Sequence, residues 1–140
     1  MALTPGLVLY LWFPITKPTP KKKFAVLGPI EPKPMLLFID SDINPYVNNT
    51  DDLRAHHIVM DVLNHCFLEY DSWVDCTYPV GYDLEQLISA VEKDPTAIRG
   101  TISNHLRHSL CSCIASSKLW PPAKAKRFID ALEQPTTFNF

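Results

Sequence analysis

Gly6-Leu7-Val8-Leu9-Tyr10-Leu11-Trp12-Phe13 is the stretch that decides the fold. Its branched and aromatic side chains suit a pleated strand, and Pro14 stops it. Two more apolar runs follow. Phe24-Ala25-Val26-Leu27 ends at Gly28-Pro29, and Met35-Leu36-Leu37-Phe38-Ile39 comes after a Pro-rich turn. Both are nearly continuous in apolar residues, which suits strands buried on both faces or strands curling round a small barrel. Residues 15–23 (ITKPTPKKK) form a loop, because Pro18 and Pro20 have no N–H to give to a ladder. Eight of the thirteen prolines precede residue 50, so this half is not mainly helical.

Further along, residues 40–52 (DSDINPYVNNTDD) are polar and turn-forming. Ile58-Val59-Met60 and the residues around Cys66-Phe67-Leu68 are short strand candidates. Ser72-Trp73-Val74-Asp75-Cys76 alternates better, with Trp73 and Asp75 on one face and Val74 on the other. At Asp83 the apolar period changes from 2 to 3.6. Asp83 and Gln86 make a capping box, and Leu84, Leu87, Ile88 and Val91 form one stripe. Ser103 caps a second helix to about Ser117, with Ile102, Leu106, Leu110, Cys113 and Ile114 inward. Pro121-Pro122 opens a third, striped by Ala125, Phe128, Ile129 and Leu132. From Pro135 the tail should fray.

Strands first and helices last predict a small α+β domain: a compact antiparallel barrel or sheet with helices against one side. One domain is expected over 1–140, with a β-barrel part at 6–78 and a helical part at 83–133. The 140 residues suit a single core, and 46% apolar with 20% charged residues argues against wholesale disorder. No apolar run reaches the roughly 18 residues of a membrane span, and neither flank of residues 7–13 resembles a signal peptide. Cysteines 66, 76, 111 and 113 lack a disulfide-framework spacing, so reduced thiols in a cytoplasm are expected.

Net charge is −2, unevenly spread. Residues 1–39 hold five lysines against one glutamate, a balance of +4. Residues 40–98 hold twelve acids against two bases, −10, and residues 99–140 return to +4. A dedicated nucleic-acid binder is usually basic throughout, so this chain would meet a phosphate backbone only locally.

Metal sites fare poorly. His105, His108, Cys111 and Cys113 cannot converge on one ion from a helix turning about 100° per residue. His56, His57, His65, Cys66 and Cys76 are a looser set, and adjacent His56 and His57 would diverge on a strand. With four glycines there is no GxGxxG and no Walker-type loop, so no cofactor is expected. Asp40, Asp42, Asp51 and Asp52 could serve as paired acids, or simply solvate a loop. The lysines of the basic loop lead straight into a strand. A cation at such a rim can contact RNA phosphate and stabilise charge on it; a solvated loop is the plain alternative.

Gly6-Leu-Val-Leu-Tyr-Leu-Trp-Phe-Pro-Ile-Thr, a polar loop, then Lys23-Phe-Ala-Val-Leu-Gly resembles the opening of the PemK/MazF-type toxins. Residues 67–76 (FLEYDSWVDC) resemble their late strand, and Arg99-Gly100-Thr101-Ile102-Ser103 their entry to the C-terminal helix. The resemblance covers roughly residues 6–118. It implies a small SH3-like antiparallel β-barrel, here with three C-terminal helices packed against it. It also implies a dimeric, metal-independent endoribonuclease for single-stranded RNA, restrained by an antitoxin. The family's catalytic arginine is matched by Lys22 or Lys23, and its hydroxyl by Ser41. Lysine lacks the bidentate fork of arginine, and Asp40 and Asp42 flank Ser41.

Two functions follow as expectations. In the first, Lys22, Lys23 and Ser41 are catalytic, and Lys17, Lys21 and Trp12 bind RNA. The sugar 2′-hydroxyl is the nucleophile, so DNA is spared. In the second, the same barrel is a non-catalytic interaction module of a phage or defence system, docking its acidic segment on a basic protein partner.

Overall fold

The computed structural model describes residues 1–14, 16 and 19–140. In chain order it holds β1 (Ala2–Leu3), β2 (Leu7–Phe13), β3 (Lys21–Leu27), β4 (Met35–Asp40), α1 (Asp51–Ala55), β5 (His57–Met60), β6 (Ser72–Asp75) and β7 (Val80–Gly81). Then come α2 (Leu84–Lys93), a 3₁₀ turn (Pro95–Ala97), β8 (Ile98–Thr101), α3 (Asn104–Ser116), α4 (Pro122–Glu133) and β9 (Phe138–Asn139). The architecture is α+β. One curled antiparallel sheet runs β5-β6-β4-β3-β2-β8, with β7 added beside the start of β4. It forms a half-barrel: β5 and β8 are its outer strands and do not meet among the described residues. Among those residues, no helix is long and apolar enough to cross a membrane.

The continuous apolar runs are explained by burial on both faces. Along β2, Val8 enters one core while Leu9, Leu11 and Phe13 enter the other. Register carries the division across the sheet: Val8 stands opposite Val26, and Leu9 opposite Ala25. The first core joins the sheet to α3 and α4 through Leu106, Leu110, Ile114, Phe128 and Leu132. The second joins it to α2 through Leu87 and Val91. Helices therefore cover both faces rather than one side.

Helix starts follow local chemistry. Asp83 caps α2 by accepting from Gln86 N at 3.0 Å, and Ser103 caps α3 by accepting from Leu106 N at 3.1 Å. Each cap stabilises its helix by about 1 kcal/mol. Pro121-Pro122 leads into α4 with no side-chain cap. On α3 the inward cysteine is Cys111, not Cys113, which is only partly covered.

Four further segments differ from expectation. Lys21 to Lys23, expected at the end of a loop, are the first residues of β3, because they pair with Leu11 to Phe13. Residues 98–101, inside the stretch read as helical, are a sheet strand paired to β2. Residues 66–68 are turn rather than strand; Leu68 still reaches the first core as a single inward side chain. The tail does not fray, because β9 pairs with β1 and Phe138 packs on the second core.

Gly6 has φ +98°, a conformation suited to glycine. Its N–H donates to Leu27 O at 2.7 Å, and its carbonyl accepts from Ile102 N at 3.0 Å. It thus ties the start of β2 both to β3 and to the entry of α3.

Candidate functional site

On the face of the sheet that carries Val8 and Val26, the next pair along is Tyr10 and Phe24. Their rings meet at 4.7 Å, and beyond them Lys22 stands opposite Trp12. Here a cleft of about 410 Å³ opens. Strands β2 and β3 supply Tyr10, Phe24 and Lys21 to Lys23; the end of β4 supplies Asp40 and Ser41; β8 supplies Arg99. The opposite wall is Phe67, Leu68, Glu69 and Tyr70.

Two cations share one aromatic ring. The Arg99 guanidinium carbon lies 4.9 Å from the Tyr10 centroid, and Lys22 Nζ lies 5.8 Å from it. Arg99 also lies 5.7 Å from the Phe24 centroid. Each such contact contributes about 0.5–1 kcal/mol when partly exposed, and it holds the planar guanidinium in place. Neither cation forms an ion pair among the described residues. Asp94, fully exposed, feels both: its carboxyl is held below the ordinary range mainly by the Thr96 hydroxyl, with Lys22 and Arg99 adding to the effect. The cleft is therefore set up for an anion.

Lys23 plays a different part from its neighbour. Alternation turns it to the other side of β3, where it pairs with Asp40 and lies 4.7 Å from the Phe38 centroid. Its charge is already matched within the fold. Among the residues singled out from sequence, Lys21, Lys22, Lys23 and Ser41 all line the cleft. Trp12 is half exposed, but is not part of the lining. Lys17 lies outside the described residues.

The wall is fixed from behind. His65 is buried; its Nδ1 lies 2.8 Å from Asp61 O, and its Nε2 accepts from Ser103 N at 3.0 Å. That pattern assigns the neutral ring with its proton on Nδ1. Asp61 is held below the ordinary carboxylate range, chiefly by the Asn64 side-chain amide. One edge of the Phe67 ring lies against Gly100, where an added Cβ would come within 2.7 Å of it. Arg99 and the wall are thus neighbours through one glycine.

No family model, curated protein or solved structure matches this chain.

His56 and His57 are structural. His56 Nε2 lies 2.7 Å from Ser117 Oγ, and His57 Nε2 lies 2.8 Å from Asn48 Oδ1. Both rings are buried and serve to fasten loops to the sheet and to α3. Among the described residues, no group of three or more His, Cys, Asp or Glu side chains is arranged to hold a metal ion.

Arg99 is the cleft residue that sequence alone did not assign to the site. Its only local signal is a base following the acidic middle segment and preceding Gly100. Tyr70 and Glu69 were likewise hidden, because residues 66–68 look like strand rather than the turn that brings them to the cleft.

Proposed function

We propose that the cleft binds single-stranded RNA and that the protein is a metal-independent endoribonuclease of the toxin–antitoxin kind. The observation that carries this is the convergence of Arg99 and Lys22 on the Tyr10 ring. A guanidinium held over the ring can offer its N–H edge to two phosphate oxygens, and a lysine beside it adds a mobile charge. Arg99 thereby supplies the fork that Lys22 and Lys23 lack. Ser41, just past the end of β4, is the hydroxyl of the site. Lys21 adds positive charge at the rim of the cleft, while Lys23 steadies Asp40.

Cleavage through the 2′-hydroxyl needs a proton acceptor and a stabiliser of the charge that develops on phosphorus oxygens. Lys22 and Arg99 are the stabilisers in this scheme. Glu69 is the acceptor: it lines the cleft and lies outside any ion pair among the described residues. A PemK/MazF-type ancestry, an SH3-like closure of the barrel, a cytoplasmic setting, a homodimer and a small antitoxin partner belong to the same proposal. The half-barrel order of strands and the cationic cleft support it.

The test is incubation of the purified chain with single-stranded RNA, its all-deoxy counterpart and an RNA with 2′-methoxy groups, in the presence of a chelator. Cuts in the RNA alone, lost in Arg99→Ala, bear the proposal out. Intact RNA that is nevertheless bound leaves a binding module. RNA neither bound nor cut removes the proposal.

A further inference from the structure

A second cavity, of about 420 Å³, lies away from the cleft at the C-terminal end of α3. Cys113 lines it from α3, Ser117 from the cap of that helix, and Asp52 and His56 from α1 and its C-cap. Cys76, fully buried at the end of β6, packs in the same core against which Cys113 rests. Cys76 and Cys113 lie close enough that each thiol is the foremost influence on the other's ionisation. Their frames are held firmly. Cys76 N donates to His56 O at 2.8 Å, and Trp120 Nε1 donates to Cys76 O at 2.8 Å. The His56 ring is engaged on both nitrogens, by Asp52 O at 2.6 Å and Ser117 Oγ at 2.7 Å.

We propose that this is a thiol oxidation site, in which a hydroperoxide entering the cavity oxidises Cys113 and Cys76 then closes a disulfide with it. In the first step the Cys113 thiolate attacks a peroxide oxygen. An S–O bond forms, the O–O bond breaks, and the leaving oxygen takes a proton and departs as water or alcohol. Sulfur loses two electrons and the peroxide gains them. In the second step the Cys76 sulfur attacks the sulfenic sulfur. The S–S bond forms, the S–O bond breaks, and hydroxide leaves with the Cys76 proton as water.

The surroundings select Cys113 for the first step. The Cys76 thiol, with His56 nearby, brings Cys113 down to about 7 against burial. Cys76 is pushed up, first by Cys113 and then by burial, so it stays protonated until a sulfenic acid faces it. Cys111 is raised to about 11, chiefly by burial, and is not among the residues lining this cavity. Cys66 is exposed. Reactivity at Cys113 therefore comes with a resolving partner already in place.

The experiment treats the full chain with hydrogen peroxide, blocks remaining thiols, and maps peptides by mass. The expected product is a Cys76–Cys113 cross-link, with a mass loss of about 2 Da and two fewer blockable thiols. In Cys76→Ser, a sulfenic acid trapped by a dimedone-type reagent should accumulate on Cys113. The wild-type map is read directly, so it does not depend on the variant folding. Oxidation confined to Cys66, or a native chain in which Cys76 and Cys113 both stay reduced while Cys66 is consumed, overturns the proposal. Because this cavity is separate from the cleft, neither result bears on RNA binding.

Discussion

Arg99 on β8 and Tyr10 on β2 stack across the sheet at 4.9 Å, though 89 positions separate them in the chain. The contact exists because β8 pairs antiparallel to β2, with Val8 opposite Gly100 and Leu9 opposite Ile98. A bulge between Val8 and Leu9 absorbs the mismatch and leaves Arg99 free to lean over the ring.

Arg99→Ala should weaken binding of a short single-stranded RNA about tenfold or more and lower the slope of log affinity against log salt by roughly 1. Arg99→Lys should restore the slope but not the full affinity, because the fork is missing. Fluorescence anisotropy across a salt series measures both. Lys22→Ala should behave like Arg99→Ala. Lys23→Ala should change the salt slope far less, since its charge is paired with Asp40.

Glycine substitutions should rank by what the new Cβ meets. At Gly28 it would lie 2.3 Å from Phe128 Cζ, deep in the first core, so Gly28→Ala should cost about 3 kcal/mol or more. At Gly100 it would lie 2.7 Å from the Phe67 ring, so Gly100→Ala should cost about 1–3 kcal/mol and also reduce RNA affinity. At Gly81 the obstacle is the flexible Lys33 side chain, and Gly81→Ala should stay within about 1 kcal/mol. Chemical denaturation of the three variants gives the order; a Gly81→Ala effect as large as that of Gly28→Ala would contradict it.

His65→Ala removes an acceptor for Ser103 N and a partner for Asp61 O, and empties a buried site. The expected loss is about 2–4 kcal/mol. Amide exchange should show the start of α3 opening more readily than its middle, which distinguishes a lost tether from general destabilisation.

Cys113 should alkylate faster as pH rises and level off above about 7, because its thiolate is favoured there. The groups that face it are His56, Asp52, Cys76 and Lys118. Cys111, raised to about 11, should stay silent across the same range. The sign is fixed by the lowered value: more thiolate at higher pH, and rate following thiolate. Iodoacetamide labelling with mass detection reads each site; a flat Cys113 profile between about pH 6 and pH 8 would remove the basis for this assignment.

Local signals made part of this fold legible. Asp83 and Ser103 announced α2 and α3 because a cap and its stripe lie within a few residues of each other. Strands β2, β4 and the apolar half of β3 were plain from apolar runs cut by proline, whereas Lys21 to Lys23 are strand only because they pair with Leu11 to Phe13. Thr50 also caps α1, but Asp51-Asp52-Leu53-Arg54-Ala55 has no apolar stripe and looked like turn. β8 was missed because Ile98-Arg99-Gly100-Thr101 has little strand character of its own and exists only by pairing with β2. The cleft followed the same division. Lys22 and Ser41 lie on or beside legible strands, whereas Arg99 and Glu69 reach it through contacts that only the tertiary fold creates.

The back of the cleft wall is clamped twice, by Phe67 over Gly100 and by His65 on the Ser103 amide. Wall, cation-bearing strand and helix entry consequently behave as one mechanical unit. An occupant that wedges against Phe67 or Tyr70 transmits its load to the first turn of α3, some distance from anything it touches. Slowed exchange at the amides of that turn would then report occupancy without any label in the cleft itself.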